Sequence, residues 1–242
     1  METVIDEIAP DIYRMSTYVP DAGMTFNQIL VNAEEPLLFH CGMRALFPNT
    51  SQALGRVVPI ERLRWISFGH VEADECGALN QWLAAAPRAE VAFGALGCAV
   101  SVNDLADRPP RPLADGEVLD LGGKSLRYLA TPHVPHGWDA GIFFEETTST
   151  LLCGDLFTAT GEAAPLSWDS PLAAAGSAED LFGYSCLAPS TPEVIGRLAA
   201  LEPSTLALMH GSAHTGDGSA WLRELAAAYE HRIANSSPAG CG

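Results

Sequence analysis

The sequence predicts an α/β (α+β) fold in which two mixed β-sheets form a sandwich flanked by helices. Short apolar, β-rich segments dominate the first two-thirds of the chain, and helical segments are interleaved with them. The 242 residues are enough to bury a sizeable core. The sequence has no Gly-x-Gly-x-x-Gly run and no phosphate loop, which argues against a nucleotide-binding fold.

Turn residues separate the predicted strands, and two of the turns predict β-hairpins. The predicted strands cover residues 12–18, 26–32, 36–39, 63–68, 91–100, 118–121, 126–129, 141–144, 151–154 and 205–209. The predicted helices cover residues 53–65, 74–85, 192–201 and 218–233. Residues 159–190 are rich in Ala, Ser, Gly and Pro, so we expect a long loop or lid there. Residues 236–242 are expected to be a disordered tail.

The charge of the chain limits its partners. It has 13 Lys and Arg residues against 30 Asp and Glu residues, a formal net charge of −17. Nucleic acids and anionic membrane surfaces attract basic proteins, so we expect neither as a partner. No apolar run approaches the length of a membrane span, and the acidic N-terminus does not resemble a signal peptide. We therefore expect a cytoplasmic protein.

The six cysteines are scattered, and none forms a Cys-x-x-Cys pair. They are Cys41, Cys76, Cys98, Cys153, Cys186 and Cys241. This spacing does not indicate a zinc ribbon or a thioredoxin-like motif, so we expect reduced thiols.

The densest chemistry lies directly after the predicted strand at 63–68. His70, Glu72, Asp74 and Glu75 place one imidazole and three carboxylates within six residues. Burying such charge alone would cost several kcal/mol per ion, whereas bound metal ions would supply the missing positive charge. The alternative interpretation is a solvated helix start, where the macrodipole favours acidic residues.

Three further segments place candidate ligands where an apolar strand gives way to a loop. These candidates are His133 and His136 in residues 131–139, Asp155 in residues 153–157, and His210 in residues 206–212. Loops held on a rigid sheet are where functional sites are commonly built. Taken alone, Asp155 could equally be a turn residue or a helix cap.

The four segments together resemble the metallo-β-lactamase superfamily, and within it the flavodiiron proteins and the stand-alone oxygen-binding diiron proteins. The first motif of that branch runs His-x-Glu-x-Asp-His, and residues 70–75 match it except that Glu75 replaces the last histidine. Hydrolases of the superfamily carry a histidine where this chain has Glu72. A second departure is His40, which stands where relatives usually carry an aspartate. The resemblance implies a single αββα metallo-β-lactamase-like domain over residues 1–235.

The resemblance also implies the ligand set. The expected ligands are His70, Glu72, Asp74, Glu75, His136, Asp155 and His210. Of these, His70, Glu72 and His136 would hold one metal, and Asp74, Glu75 and His210 the other, with Asp155 as the bridge. His133 is a rival to His136, because it lies nearer the position of a ligand in the hydrolases. The mixture of imidazole and carboxylate favours iron, with zinc or manganese as alternatives.

On this resemblance we expect a non-haem diiron protein that binds, senses or reduces O2 or nitric oxide. The sequence shows no FMN domain in this chain, so a separate flavoprotein or rubredoxin-like protein would have to donate the electrons. The resemblance also allows for a homodimer, because relatives place a donor across a subunit boundary. The alternatives are a metal-dependent hydrolase of a thioester, lactone or phosphoester, and a member that holds metal only for structure.

Overall fold

The computed structural model describes residues 1–235 and contains two seven-stranded β-sheets with helices on their outer faces. The first sheet runs in sequence order, antiparallel from β1 to β4 and parallel from β4 to β7. Its strands are β1 (Thr3–Ala9), β2 (Ile12–Val19), β3 (Met24–Val31), β4 (Leu37–Phe39), β5 (Trp65–Ser67), β6 (Glu90–Gly94) and β7 (Arg111–Leu113). The predicted fold of two mixed sheets flanked by helices is confirmed.

The second sheet has the order β12-β14-β13-β11-β10-β9-β8 and also mixes parallel and antiparallel pairs. Its strands are β8 (Val118–Asp120), β9 (Ser125–Ala130), β10 (Gly141–Glu145), β11 (Thr150–Leu152), β12 (Leu166–Ser167), β13 (Thr205–Ala207) and β14 (Ala213–Thr215). The two predicted hairpins are present as β8–β9 and β10–β11.

The apolar core lies between the two sheets. Ile12 and Phe39 from the first sheet and Phe143 and Leu152 from the second belong to one buried cluster. The rings of Phe39 and Phe143 meet edge to face with centroids 5.8 Å apart, an arrangement that aromatic pairs favour. The inward-facing residues of both sheets therefore hold the sandwich together and fix where their strand ends lie.

Helices cover the outer faces. They are α1 (Phe47–Leu54), α2 (Ala73–Cys76), α3 (Leu79–Ala85), α4 (Ala95–Gly97), α5 (Asn103–Leu105), α6 (Leu172–Phe182), α7 (Thr191–Ala199) and α8 (Gly218–Asn235). Trp82 of α3 packs in a cluster with Ile66 of β5, and Leu222 of α8 packs in another with Leu206 of β13. Among the helices in residues 1–235, none has the length and apolar character that a membrane span requires.

Several predicted elements differ from the observed ones. Residues 53–65 hold the end of α1 and a short 3-10 turn rather than a helix. Residues 95–100 are helical rather than extended. Gly97 allows this change of direction, because a Cβ there would lie 2.1 Å from the ring of Phe93. The apolar run from Val91 to Val100 favoured a strand in the sequence, but tertiary packing overrides that preference.

The segment predicted as a long loop contains the eleven-residue helix α6. Its Ala-rich sequence favours a helix, and Gly183 ends it with a left-handed φ of 56°. The proposed tail, residues 236–242, lies outside the described residues, as does Cys241. The other five cysteines are free thiols.

Candidate metal centre

The loop between β5 and α2 positions the first two candidate ligands. The chain turns back on itself after His70, whose carbonyl accepts a hydrogen bond from the Glu72 N–H at 3.1 Å. The Nε2 atom of His70 lies 2.8 Å from Oε2 of Glu72. Glu72 directly precedes α2, so Asp74 falls in the first helical turn. The alternation of polar residues in the sequence therefore reflects a tight turn into a short helix.

Residues 131–140 form the loop that carries His136, between β9 and β10. Two backbone hydrogen bonds close it, from the His133 N–H to the Gly137 carbonyl and from the Ala140 N–H to the same carbonyl. Gly137 has a φ of +80°, and a Cβ there would lie 3.2 Å from the Cβ of His70. Glycine thus allows this loop to approach the His70 loop closely.

One group of candidate ligands is formed by His70, Glu72, His136 and Asp155. A donor atom from each lies within 4.8 Å of the donors of the others. The Nε2 atom of His136 is 3.3 Å from Oε2 of Glu72 and 3.4 Å from Oδ2 of Asp155. The four residues come from three different loops of the chain, so tertiary folding assembles the group.

A second group lies on the other side of Asp155. The Nε2 atom of His210 is 3.3 Å from Oδ2 of Asp74 and 3.5 Å from Oδ1 of Asp155. Asp155 directs its other oxygen, Oδ2, toward His70 and His136. One carboxylate therefore faces two separate groups of donors, as a ligand that bridges two ions must.

Backbone contacts orient His210. Its Nδ1 lies 2.8 Å from the carbonyl oxygen of Thr25, which can only accept a hydrogen bond. Nδ1 therefore carries a hydrogen, and Nε2, which faces Asp74 and Asp155, is the ring nitrogen that a metal could take. An outer hydrogen bond of this kind is the usual way in which a ligand histidine is held. The edge-to-face contact with the ring of Phe26 restricts the imidazole further.

The structure does not bring Glu75 to His210, where we expected it as a ligand of the second metal. One Glu75 oxygen accepts hydrogen bonds from the N–H groups of Gly69 and His70. The other is 3.3 Å from Nδ1 of His70 and 3.7 Å from Nε2 of His40. Successive helical residues point about 100° apart. When Asp74 faces the second group, Glu75 therefore points into the interior.

His40 is the second departure from the family pattern, and it contacts the first. It is fully buried with a φ of +70°, and its Nδ1 lies 3.3 Å from the carbonyl oxygen of Asn27. Its Nε2 faces Glu75. The two unusual residues are thus neighbours in space, although 35 positions separate them in the sequence.

The pKa shifts in the centre indicate an excess of negative charge. Burial lowers the pKa of His70, but the carboxylates of Glu75 and Glu72 outweigh that effect and raise it to about 11. Hydrogen bonds from His136 and His70 hold the pKa of Glu72 well below its usual range. Burial and the nearby Glu75 raise the pKa of Asp155 to about 6. Burial also lowers the pKa of His210, but Asp74 and Asp155 outweigh that effect and raise it. His70 and His210 therefore act as counter-ions to carboxylates that a metal ion would otherwise neutralise.

One atom tests directly whether the residues fit a metal. Oδ1 of Asp155 is buried, and among residues 1–235 it has no hydrogen-bond partner. Such a buried acceptor is costly unless something else satisfies it. The surrounding donors are imidazole nitrogens and carboxylate oxygens, which suit first-row transition ions. The donor set and this orphaned oxygen both fit a bound cation.

The two rival histidines are placed differently. His136 is partly buried and faces Glu72 and Asp155. His133 is exposed with a φ of +65° and lies in the turn of the same loop. The structure therefore brings His136, and not His133, into the group of donors.

Tyr184 is a neighbour of the centre that the sequence did not single out. Its hydroxyl donates to the backbone carbonyl of Asp155 at 3.3 Å, and its ring meets that of His136 edge to face at 6.0 Å. The residue lies in the segment predicted as a loop, and no spacing in the sequence marks it. Only the tertiary fold identifies Tyr184 as a wall of the site.

Comparisons with known proteins identify the family and the fold of the chain. The sequence model of the "ODP family beta lactamase" matches residues 24–173, more than half of the chain. The diflavin flavoprotein A 2 of Synechocystis is 25% identical over a match of 221 residues, which covers 87% of this chain and 37% of that protein. The chain thus spans little more than a third of the length of this curated relative.

Solved structures share the fold at low sequence identity. The rubredoxin oxygen:oxidoreductase of the anaerobe Desulfovibrio gigas has a TM-score of 0.75 and 16% identity, over 93% of this chain and 62% of that one. A fragment of the diflavin flavoprotein A 5 of Nostoc has a TM-score of 0.79 and 15% identity, over 96% of this chain and 97% of that one. The chain folds as a metallo-β-lactamase-like core and belongs to the ODP family of beta-lactamase domains.

Proposed function

We propose that this chain is a non-haem diiron protein that binds, senses or reduces O2 or nitric oxide. The proposed ligands are His70, Glu72, His136, Asp155, Asp74 and His210. The observation that carries the proposal is the position of Asp155, whose two oxygens face two different groups of donors. The other five ligands divide between those two groups.

The composition of the centre supports iron over zinc. Zinc sites in hydrolases depend largely on histidine, whereas iron and manganese accept mixed nitrogen and oxygen donors. Here three imidazoles meet the carboxylates of Glu72, Asp74 and Asp155. Three carboxylates offset most of the charge of two divalent ions and favour a more highly charged iron.

The relatives support the same chemistry. One structural neighbour is named a rubredoxin oxygen:oxidoreductase, and a curated relative is named a diflavin flavoprotein. When bound, a pair of iron ions would supply electrons to O2 or nitric oxide. Residues 1–235 form two packed sheets without a flavodoxin-like domain. We therefore propose that the electrons come from outside these residues, from a flavoprotein or a rubredoxin-like protein.

The chain's own residues shape the access route. Glu72 is about half exposed, and His136 is partly exposed, whereas His70, Asp155 and His210 are buried. A small molecule can therefore approach on the side of Glu72 and His136. Tyr184 borders His136 on that side, and its hydroxyl hydrogen-bonds to the carbonyl of Asp155.

The experiment is anaerobic loading with Fe²⁺, followed by metal analysis and exposure to O2 and to nitric oxide. We expect two irons per chain and an absorbance change with at least one of the two gases. The opposing result is retention of zinc with turnover of a thioester, lactone or phosphoester and no response to either gas. That result would identify a hydrolase. Tight metal binding with neither activity would indicate a structural site.

A further inference from the structure

Glu75 is the buried charged residue that the proposed ligand set leaves without a role. Its side chain is fully buried, and burying a carboxylate is costly unless it is paired and hydrogen-bonded. The position normally carries a histidine in the family branch that this chain resembles. A role for Glu75 must therefore come from its own contacts.

Those contacts divide between its two oxygens. Oε2 accepts hydrogen bonds from two backbone donors, the N–H of Gly69 and the N–H of His70. Oε1 lies 3.3 Å from Nδ1 of His70 and 3.7 Å from Nε2 of His40. The first oxygen fixes the carboxylate to the loop, and the second faces the ring of a proposed ligand.

The effect of this contact depends on which nitrogen of the His70 ring it involves. Nε2 of His70 points to Glu72 and Asp155, the donors of the first group. Nδ1 points the opposite way, to Glu75. A carboxylate accepts but does not donate, so it holds the hydrogen on Nδ1 and leaves the lone pair of Nε2 for a metal.

We propose that Glu75 is a positioning residue, which orients His70 and fixes its tautomer from behind the first metal group instead of ligating the second metal. This inference rests on the proposed metal centre. The centre would then be unsymmetrical, because only Asp74, His210 and Asp155 would hold the second ion.

The variant Glu75→Gln tests the role because the amide can fit in only one orientation. Its NH2 group cannot replace Oε2, where two rigid backbone N–H groups already donate. The NH2 group must therefore face Nδ1 of His70. Two donors would then oppose each other, so the hydrogen of His70 must move to Nε2, the atom proposed to bind metal.

The measurement is a Zn²⁺ titration against a chromophoric chelator, combined with histidine side-chain ¹H–¹⁵N NMR of the Zn²⁺-loaded protein. In the wild type we expect His70 to keep its hydrogen on Nδ1, in slow exchange with solvent, and to bind through Nε2. In Glu75→Gln we expect about 10- to 100-fold weaker binding at the first group and loss of the His70 Nδ1–H signal. The His210 signal should persist, since the carbonyl of Thr25 holds that tautomer.

The matched control is Glu145→Gln, another fully buried glutamate that accepts backbone N–H groups, here at the β10–β11 turn. It should leave Zn²⁺ affinity and the His70 signal unchanged.

The inference is overturned if Glu75→Gln binds Zn²⁺ as the wild type does with the same His70 signal. If that variant does not fold, the wild-type spectrum decides alone. Binding through Nδ1, or fast exchange of the Nδ1 hydrogen, would then refute the role. A wild-type protein that binds no metal would instead refute the proposed function.

Discussion

The backbone N–H of Gly141 donates a hydrogen bond of 2.8 Å to the carbonyl of Gly69. This bond joins the first residue of β10, in the second sheet, to the loop that follows β5 in the first. The His136 loop ends directly before Gly141, and His70 directly follows Gly69. One direct link between the sheets therefore joins the two loops that carry the histidines of the first metal group.

Gly141 cannot carry a side chain without disturbing that link. A Cβ there would lie 2.1 Å from the hydroxyl oxygen of Tyr128. We expect Gly141→Ala to lower the free energy of unfolding by about 1–3 kcal/mol, as overpacking does, and to reduce metal occupancy. Urea unfolding and metal analysis measure both effects. Gly176→Ala, in α6 with open space around it, is the control and should stabilise by up to about 1 kcal/mol. Equal stability of Gly141→Ala and the wild type would contradict this account.

Asp155 is shared by both groups of donors, so its loss should affect both ions. We expect Asp155→Ala to lose both metals or nearly so, as measured by metal analysis after anaerobic Fe²⁺ loading. Asp115→Ala removes an exposed carboxylate that pairs with Arg197 and should keep both metals. Retention of one full equivalent by Asp155→Ala would show that the carboxylate does not bridge.

The choice between the two histidines of the 131–140 loop is directly testable. His136 faces Glu72 and Asp155, whereas His133 is exposed. We expect His133→Ala to bind metal as the wild type does, and His136→Ala to lose at least about tenfold in affinity at the first group. The reverse pattern in parallel titrations would reassign the ligand to His133.

Glu145 should make stability depend on pH. Burial acts to raise its pKa, but hydrogen bonds from Thr148 and Thr147 outweigh burial and lower it. The unfolded chain then binds more protons than the folded one, so the contribution is present above a pH of about 4.3. It is lost as the pH falls through the folded pKa.

Glu145→Gln should therefore cost roughly 1–3 kcal/mol at neutral pH, and the difference from the wild type should shrink in acid. Urea unfolding between neutral and acidic pH measures this. Glu146→Gln, which breaks the more exposed ion pair with Arg127, should cost less than about 1 kcal/mol. A cost for Glu145→Gln that does not vary with pH would rule out the carboxylate as its source.

Periodicity and motif spacing predicted the sandwich, because strand alternation and strand-end polar residues are local signals. The same signals placed His70, Asp155 and His210 at strand ends, where the structure has them. The orientation of Glu75 was not predictable. It depends on where the first turn of α2 begins, and one residue of shift along a helix rotates a side chain by about 100°.

Two other features depended on tertiary structure. Helix α6 was hidden because its Ala-rich core is flanked by Ser, Gly and Pro, which locally favour loops. The pairing of His40 with Glu75 joins distant residues that differ from the family pattern, and the parallel pairing of β4 with β5 and the bond from the Cys41 N–H to the Glu75 carbonyl bring their loops together.

The hydrogen bonds from β3 to the segment around His210 have a consequence for how the protein unfolds. Thr25 anchors the imidazole, and Asn27 donates its side-chain NH2 to the carbonyls of Leu208 and Gly211. His210, which follows a strand of the second sheet, is thus held in place by a strand of the first sheet. Separation of the two sheets during unfolding would therefore also release a bound ion. A metal-sensitive dye would then report the loss of the sandwich as it happens.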